Sequence, residues 1–155
     1  MIVIKELNKR SSIDQDKKLK RNIVKFESFL GELKKREIPS EVVIIINRHI
    51  DEVNSFSGSI KGLRKQICKS QSDILKLLER ELNLFAKNHY RNIWLAIGMS
   101  AFGVPFGVAF GAVLDNMGYI GIFLPIGMAI GMAIGTEKDK KVFKEGNQLE
   151  VEVNY

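Results

Sequence analysis

The sequence predicts an all-α protein, a cytosolic helical bundle or coiled coil followed by a two-helix transmembrane hairpin with glycine zippers and a short polar tail. Three observations carry this prediction. Between Asn92 and Thr136 the chain holds one charged residue, Asp115, with apolar runs on either side at residues 93–114 and 117–135. As helices these would be roughly 33 Å and 28 Å long, enough to cross a hydrocarbon core of about 30 Å. Glycine then recurs at every fourth position in each run, as Gly103, Gly107 and Gly111 and as Gly127, Gly131 and Gly135. That small-xxx-small pattern lets membrane helices approach closely. Ahead of the apolar runs, Leu19, Ile23, Phe26, Leu30 and Leu33 alternate steps of four and three, a heptad seam on a soluble helix. The expected division is 1–91, 92–136 and 137–155.

Charge follows the same division. Residues 1–92 carry 20 Lys and Arg against 12 Asp and Glu, while residues 136–155 carry 4 against 5. Basic charge is thus concentrated in the soluble portion. It fits attraction to anionic headgroups, with Lys17, Lys18, Lys20 and Arg21 as the contacts; the plainer reading of such a run is a solvated helix face. A nucleic-acid footprint would need a defined basic face with aromatic or glycine-rich readout elements, so no nucleic-acid partner is expected. Cys68 is the single cysteine, which excludes an internal disulfide and points to a reducing compartment. The first residues are too short an apolar run for a secretory signal, so insertion would be directed by the late apolar segments.

Taken in order, residues 1–7 are β-prone and form a short strand at most. A helix starts near Ser11, where Ser12 and Gln15 have capping-box spacing, and Pro39 ends it. Val42, Val43, Ile44, Ile45 and Ile46 are five consecutive β-branched residues that favour a strand, yet Val43, Ile46, Ile50 and Val53 keep helical spacing. The helical reading is preferred. After a break around Gly58, Ile60, Leu63, Ile67, Ile74, Leu77 and Leu78 stripe a third helix with no clear stop before the membrane, so that it would run on through His89 into the first span. Three amphipathic helices are the minimum for a small bundle, which self-association would reinforce. Beyond Gly135 the chain turns polar, and residues 149–155 alternate with the period of a strand.

Lys87 and Arg91 precede the first span, and Lys138, Lys140, Lys141 and Lys144 follow the second, whereas the connecting Asp115, Asn116, Met117 and Gly118 include no cation. The positive-inside bias therefore puts both termini in the cytosol. Tyr90, Arg91 and Trp94 would anchor the cytosolic interface and Tyr119 the outer one. In a tight hairpin Gly103 should face Gly131, and Gly107 should face Gly127. Pro105 and Pro125 would bend the spans.

No catalytic, metal or cofactor constellation emerges. His49 and His89 have no Cys or carboxylate at ligand spacing, Cys68 reads as a small buried residue, and the glycines lack the Lys-Ser/Thr of a phosphate loop. An enzyme is not expected. GVPFGVAFG, followed by LDNMGYIGIFLPIGMAIGMAIGTEKDKK, resembles the uncharacterised bacterial glycine-zipper family of small membrane proteins across the last third of the chain. The resemblance implies a small protein of a prokaryotic inner membrane and no particular activity. The expectation is a multi-pass, homo-oligomeric membrane protein. It would self-associate through its spans and a coiled-coil-like front region, with altered membrane permeability as one outcome. The competing reading is a membrane-tethered adaptor that recruits a cytosolic protein partner through its front helices.

Overall fold

The structure, a computed structural model, describes residues 3–8 and 16–151, and these are all-helical, with no strand among them. They belong to two compact units, Met1–Ala86 with Leu149–Tyr155, and Lys87–Gln148.

The first unit contains α1 (Lys17–Lys34), α2 (Ser40–Ser55) and α3 (Ile60–Leu82). The capping box expected at Ser12 lies outside the described residues. The described helix starts at Lys17, where the Asp16 carboxylate accepts from the backbone N–H of Lys18 at 2.7 Å and of Leu19 at 2.9 Å. These bonds, that from Leu19 foremost, hold the Asp16 carboxyl below its ordinary value. All five residues of the heptad seam are buried in the chain's own core. Phe26, Phe29, Ile46, Ile50, Ile74 and Leu78 meet there with α3 packed against both α1 and α2.

The β-branched run is helical. Val42, Val43, Ile46, Ile50 and Val53 all bury on one side of α2, while Ile44 is 48% exposed on the other. Packing of that stripe outweighs the modest intrinsic β-preference of its residues. Residues 3–8, most of them in the stretch 1–7 expected to form a short strand at most, are extended but pair with side chains instead. Asn47 accepts from the Lys5 N–H at 2.8 Å and donates to the Val3 carbonyl at 3.0 Å. Asn54, two helical turns further on, accepts from the Asn8 N–H at 2.9 Å and donates to the Glu6 carbonyl at 3.0 Å. Two carboxamides thus do for this segment what a neighbouring strand would do. Ile4 is driven into the core beneath it.

The second unit is a hairpin of two long helices, α4 (His89–Val113) and α5 (Tyr119–Lys144), of 25 and 26 residues. Both are long and apolar enough to cross a membrane. One expectation is corrected here. The third helix does not run on into the first span. It ends at Leu82, Asn83 turns left-handed at φ 52°, and a new helix starts at His89 after a second left-handed residue, Asn88. Asparagine tolerates that conformation better than other side-chain-bearing residues, so the pair acts as punctuation without glycine or proline. The second helix of the hairpin extends past its apolar run. Lysines and Glu137 are good helix formers, Lys140 pairs with Glu137 at 2.7 Å, and α5 continues to Lys144 before Gly146 turns at φ 74°.

Candidate functional site

Along the two apolar stretches, every buried residue between Ile93 and Thr136 is glycine: Gly98, Gly103, Gly107 and Gly111 on α4, and Gly127, Gly131 and Gly135 on α5. Backbone lies directly on backbone. A methyl group on Gly127 would come within 2.5 Å of the Gly103 nitrogen, and one on Gly135 within 2.5 Å of the Arg91 Cα. On Gly107 it would meet the Ile120 Cα at 2.6 Å, and on Gly131 it would overlap the Trp94 carbonyl. Of the six glycines singled out from sequence, five therefore face the partner helix, and Gly111 packs against Asn116 and Met117 of the turn. Their register is not the expected one. Gly103 lies against Gly127 and Leu124, Gly107 against Ile120, and Gly131 against Gly98 and Trp94. The turn is centred on Asp115, at φ 48°, and Gly103 and Gly127 are equidistant from it; facing Gly131 would need a turn centred two residues later.

Gly98 was missed by the four-residue count because it stands five residues before Gly103. A single π-turn, Met99–Gly103, absorbs the extra residue: the Val104 N–H reaches back to the Met99 carbonyl. Pro105 follows at once, within the first two positions of the resumed α-helix, where its missing N–H is least costly. The bend expected at Pro105 thus takes the form of a widened turn that keeps Gly98 in line.

The hydroxyls of the two helices turn back on their own backbones. Ser100 and Thr136 donate to carbonyls of their own helices, at 3.0 Å to Ala96 and 2.7 Å to Met132. Phe102, Phe106, Phe110 and Phe123 instead form an outward aromatic ladder, with Phe110 and Phe123 stacked at 4.8 Å across the two helices.

At the open end, Tyr90, Arg91 and Trp94 lie half-buried on α4. The Lys138 ammonium stands over both rings, 5.8 Å from Tyr90 and 5.4 Å from Trp94, a cation–π bridge between the helices. Sequence reasoning also missed Asp139, assigned to the tail. It is buried, and its two oxygens accept from the Tyr90 and Arg91 N–H groups, each at 2.9 Å. It caps the first turn of α4 from the other helix, in place of Asn88, whose side chain makes no cap bond. Tyr119 is half-buried at the first residue of α5, by the turn.

Lys17, Lys18, Lys20 and Arg21 are all exposed on α1 in the first unit. Cys68 is exposed rather than buried: one residue beyond core-facing Ile67, it rotates out of the bundle, where the Asn22 amide meets its sulfur at 3.3 Å. His49 is half-buried with Nδ1 3.7 Å from Glu52, and His89 is buried with its ring edge-on to Tyr90 at 5.0 Å. Compared with known proteins, the chain matches no family model, no curated protein and no solved structure.

Proposed function

We propose that this chain is a non-enzymatic, membrane-tethered adaptor: the hairpin inserts in a bilayer as an anchor, and the N-terminal helical unit recruits a protein partner at the cytosolic face. The observation that carries this reading is the glycine interior. Two helices closed backbone-to-backbone, with glycine as the buried residue throughout their apolar stretches, have the form of a compact anchor and lack a hydrophilic path. Cations at both open ends and none in the turn support cytosolic termini. The resemblance to glycine-zipper membrane proteins supports a prokaryotic inner membrane. The anchor reading expects induced expression to leave the membrane potential intact. It also expects proximity labelling from the N-terminal unit to mark the same partner when an unrelated hairpin replaces residues 89–144. Depolarisation that Gly107→Leu with Gly131→Leu abolishes would overturn it.

A second reading, homo-oligomeric assembly that permeabilises the membrane, is favoured by one feature. The outer face of α5 carries a 600 Å³ groove lined by Pro125, Met128, Ala129, Met132 and Ala133, and Gly121 in the same row meets no neighbour. With both glycine rows engaged inside the hairpin, this row is the small-residue face left for a second copy. The mass of the detergent-solubilised particle decides between them, since a monomer excludes assembly.

A further inference from the structure

The open end of the hairpin has a feature that neither anchoring nor assembly uses. A 340 Å³ cleft is lined there by Lys87, Arg91, Lys140 and Lys144, with Asp139 at its floor and Phe143, 63% exposed, at its rim. The four cations outnumber the carboxylates beside them, Glu137, whose charge also acts on Lys144, and Asp139, which is occupied by the two N–H groups of α4. Lys140 shares Glu137, whereas Lys87, Arg91 and Lys144 make no ion pair among the described residues. Like charges gathered around one cavity repel unless an anion joins them. The helix N-terminus is not the attraction, because Asp139 already satisfies its first donors; the cationic side chains are.

The position of the cleft identifies the anion. Arg91 lies two residues outside the apolar run of α4, about 3 Å along the axis, and Lys140 lies five residues beyond Gly135, about 8 Å. The headgroup layer on each side of a bilayer is roughly 5–8 Å deep, so these side chains reach phosphate level. Trp94, on the membrane side of Arg91, and Tyr90, next to Arg91 in the chain, mark the same boundary. Basic pockets between spans on the cytosolic side suit lipid phosphates.

We propose that Lys87, Arg91, Lys140 and Lys144 form a binding site for the phosphodiester headgroup of an anionic phospholipid, with Phe143 against its glycerol backbone. The inference rests on the reading that α4 and α5 span a bilayer. The test uses the full-length protein in nanodiscs of phosphatidylcholine containing a minor fraction of phosphatidylglycerol, with bromine on the acyl chains of one lipid or the other. Trp94 is the only tryptophan, one helical turn from Arg91, so its quenching reports which lipid occupies the cleft. Brominated phosphatidylglycerol should quench Trp94 well beyond its mole fraction. Removing charge as Lys87→Gln, Arg91→Gln, Lys140→Gln and Lys144→Gln should reduce that preference about five-fold per cation until it reaches the bulk ratio. Arg91→Lys should retain it. A preference that survives the quadruple variant overturns the proposal. So does an equal loss on neutralising Lys61, Lys65, Lys69 and Lys76 of α3, which would indicate diffuse attraction. Saturable inorganic phosphate binding that displaces the lipid would make free phosphate the occupant and overturn the lipid assignment. Quenching by neither brominated lipid would instead remove the spanning reading, an outcome distinct from quenching without preference.

Discussion

Asp16 and Asp139 do the same work in different ways, and both show how far a single carboxylate can be read from sequence. Asp16 caps its own helix at short range, and its lowered pKa gives a pH signature. A depressed folded-state pKa stabilises the fold above the unfolded value, about 3.8, and that contribution is lost as pH falls through the folded value. In Asp16→Asn the cap acceptor remains but the titration does not. The thermal midpoint of the wild type should therefore exceed that of the variant near neutrality, and the gap should close below the carboxylate range. A gap independent of pH would contradict the assignment. Asp139 acts across 48 and 49 residues of chain, which no local motif discloses. Asp139→Ala leaves two half-buried N–H groups without their carboxylate and should lower hairpin stability by about 1–3 kcal/mol in all, with Asp139→Asn intermediate. Thermal loss of helicity in detergent measures this, and a neutral Ala variant would show that water replaces the carboxylate. Asn47 and Asn54 escaped sequence reasoning for the same reason: their partners are backbone groups more than forty residues away.

At the scale of elements, periodicity disclosed most of what is observed, and its failures have physical causes. The stripe of α2 was legible because Val43, Ile46, Ile50 and Val53 keep a helical period even though their neighbours are β-branched. The glycine rows were legible as helix-packing faces, but a strict count of four stops at Gly103 and cannot anticipate a π-turn. That turn makes a test. Deleting Ala101 converts the five-residue step from Gly98 to Gly103 into an ordinary four-residue one, so the glycine face stays aligned and stability should be retained. Deleting Ala129 between Gly127 and Gly131 meets no π-turn that could absorb it and rotates one glycine row off the other. Side chains then enter the backbone contact, and stability should fall by about 1–3 kcal/mol or the hairpin should open. Thermal loss of helicity of the two variants in detergent distinguishes these outcomes, and equal damage from both deletions would refute the role of the π-turn.

At the scale of the molecule, both described ends of the chain close the first unit. Ile4 enters its core from one end, and Leu149, fully buried, enters from the other, with its N–H donating to the Phe85 carbonyl at 2.8 Å. Residues 149–155 alternate with period two, which from sequence suggests a strand. The described part supplies one buried anchor and one backbone bond in place of a ladder. An alternating pattern states only that every second side chain faces inward, which a single extended segment on a helical bundle satisfies as well as a sheet does. The consequence is that the chain leaves the N-terminal unit for the hairpin and must return to complete its core. Leu149→Ala should destabilise the N-terminal unit by about 2–5 kcal/mol, the range for emptying a buried leucine site. Val151, packed against the same core but half-buried, should cost less on truncation. Hydrogen exchange of α1 to α3 in the full-length protein reads the effect directly. Faster exchange throughout those helices, with α4 and α5 unchanged, is the expected result. Unchanged exchange after Leu149→Ala would mean that the three helices hold their core without the returning chain.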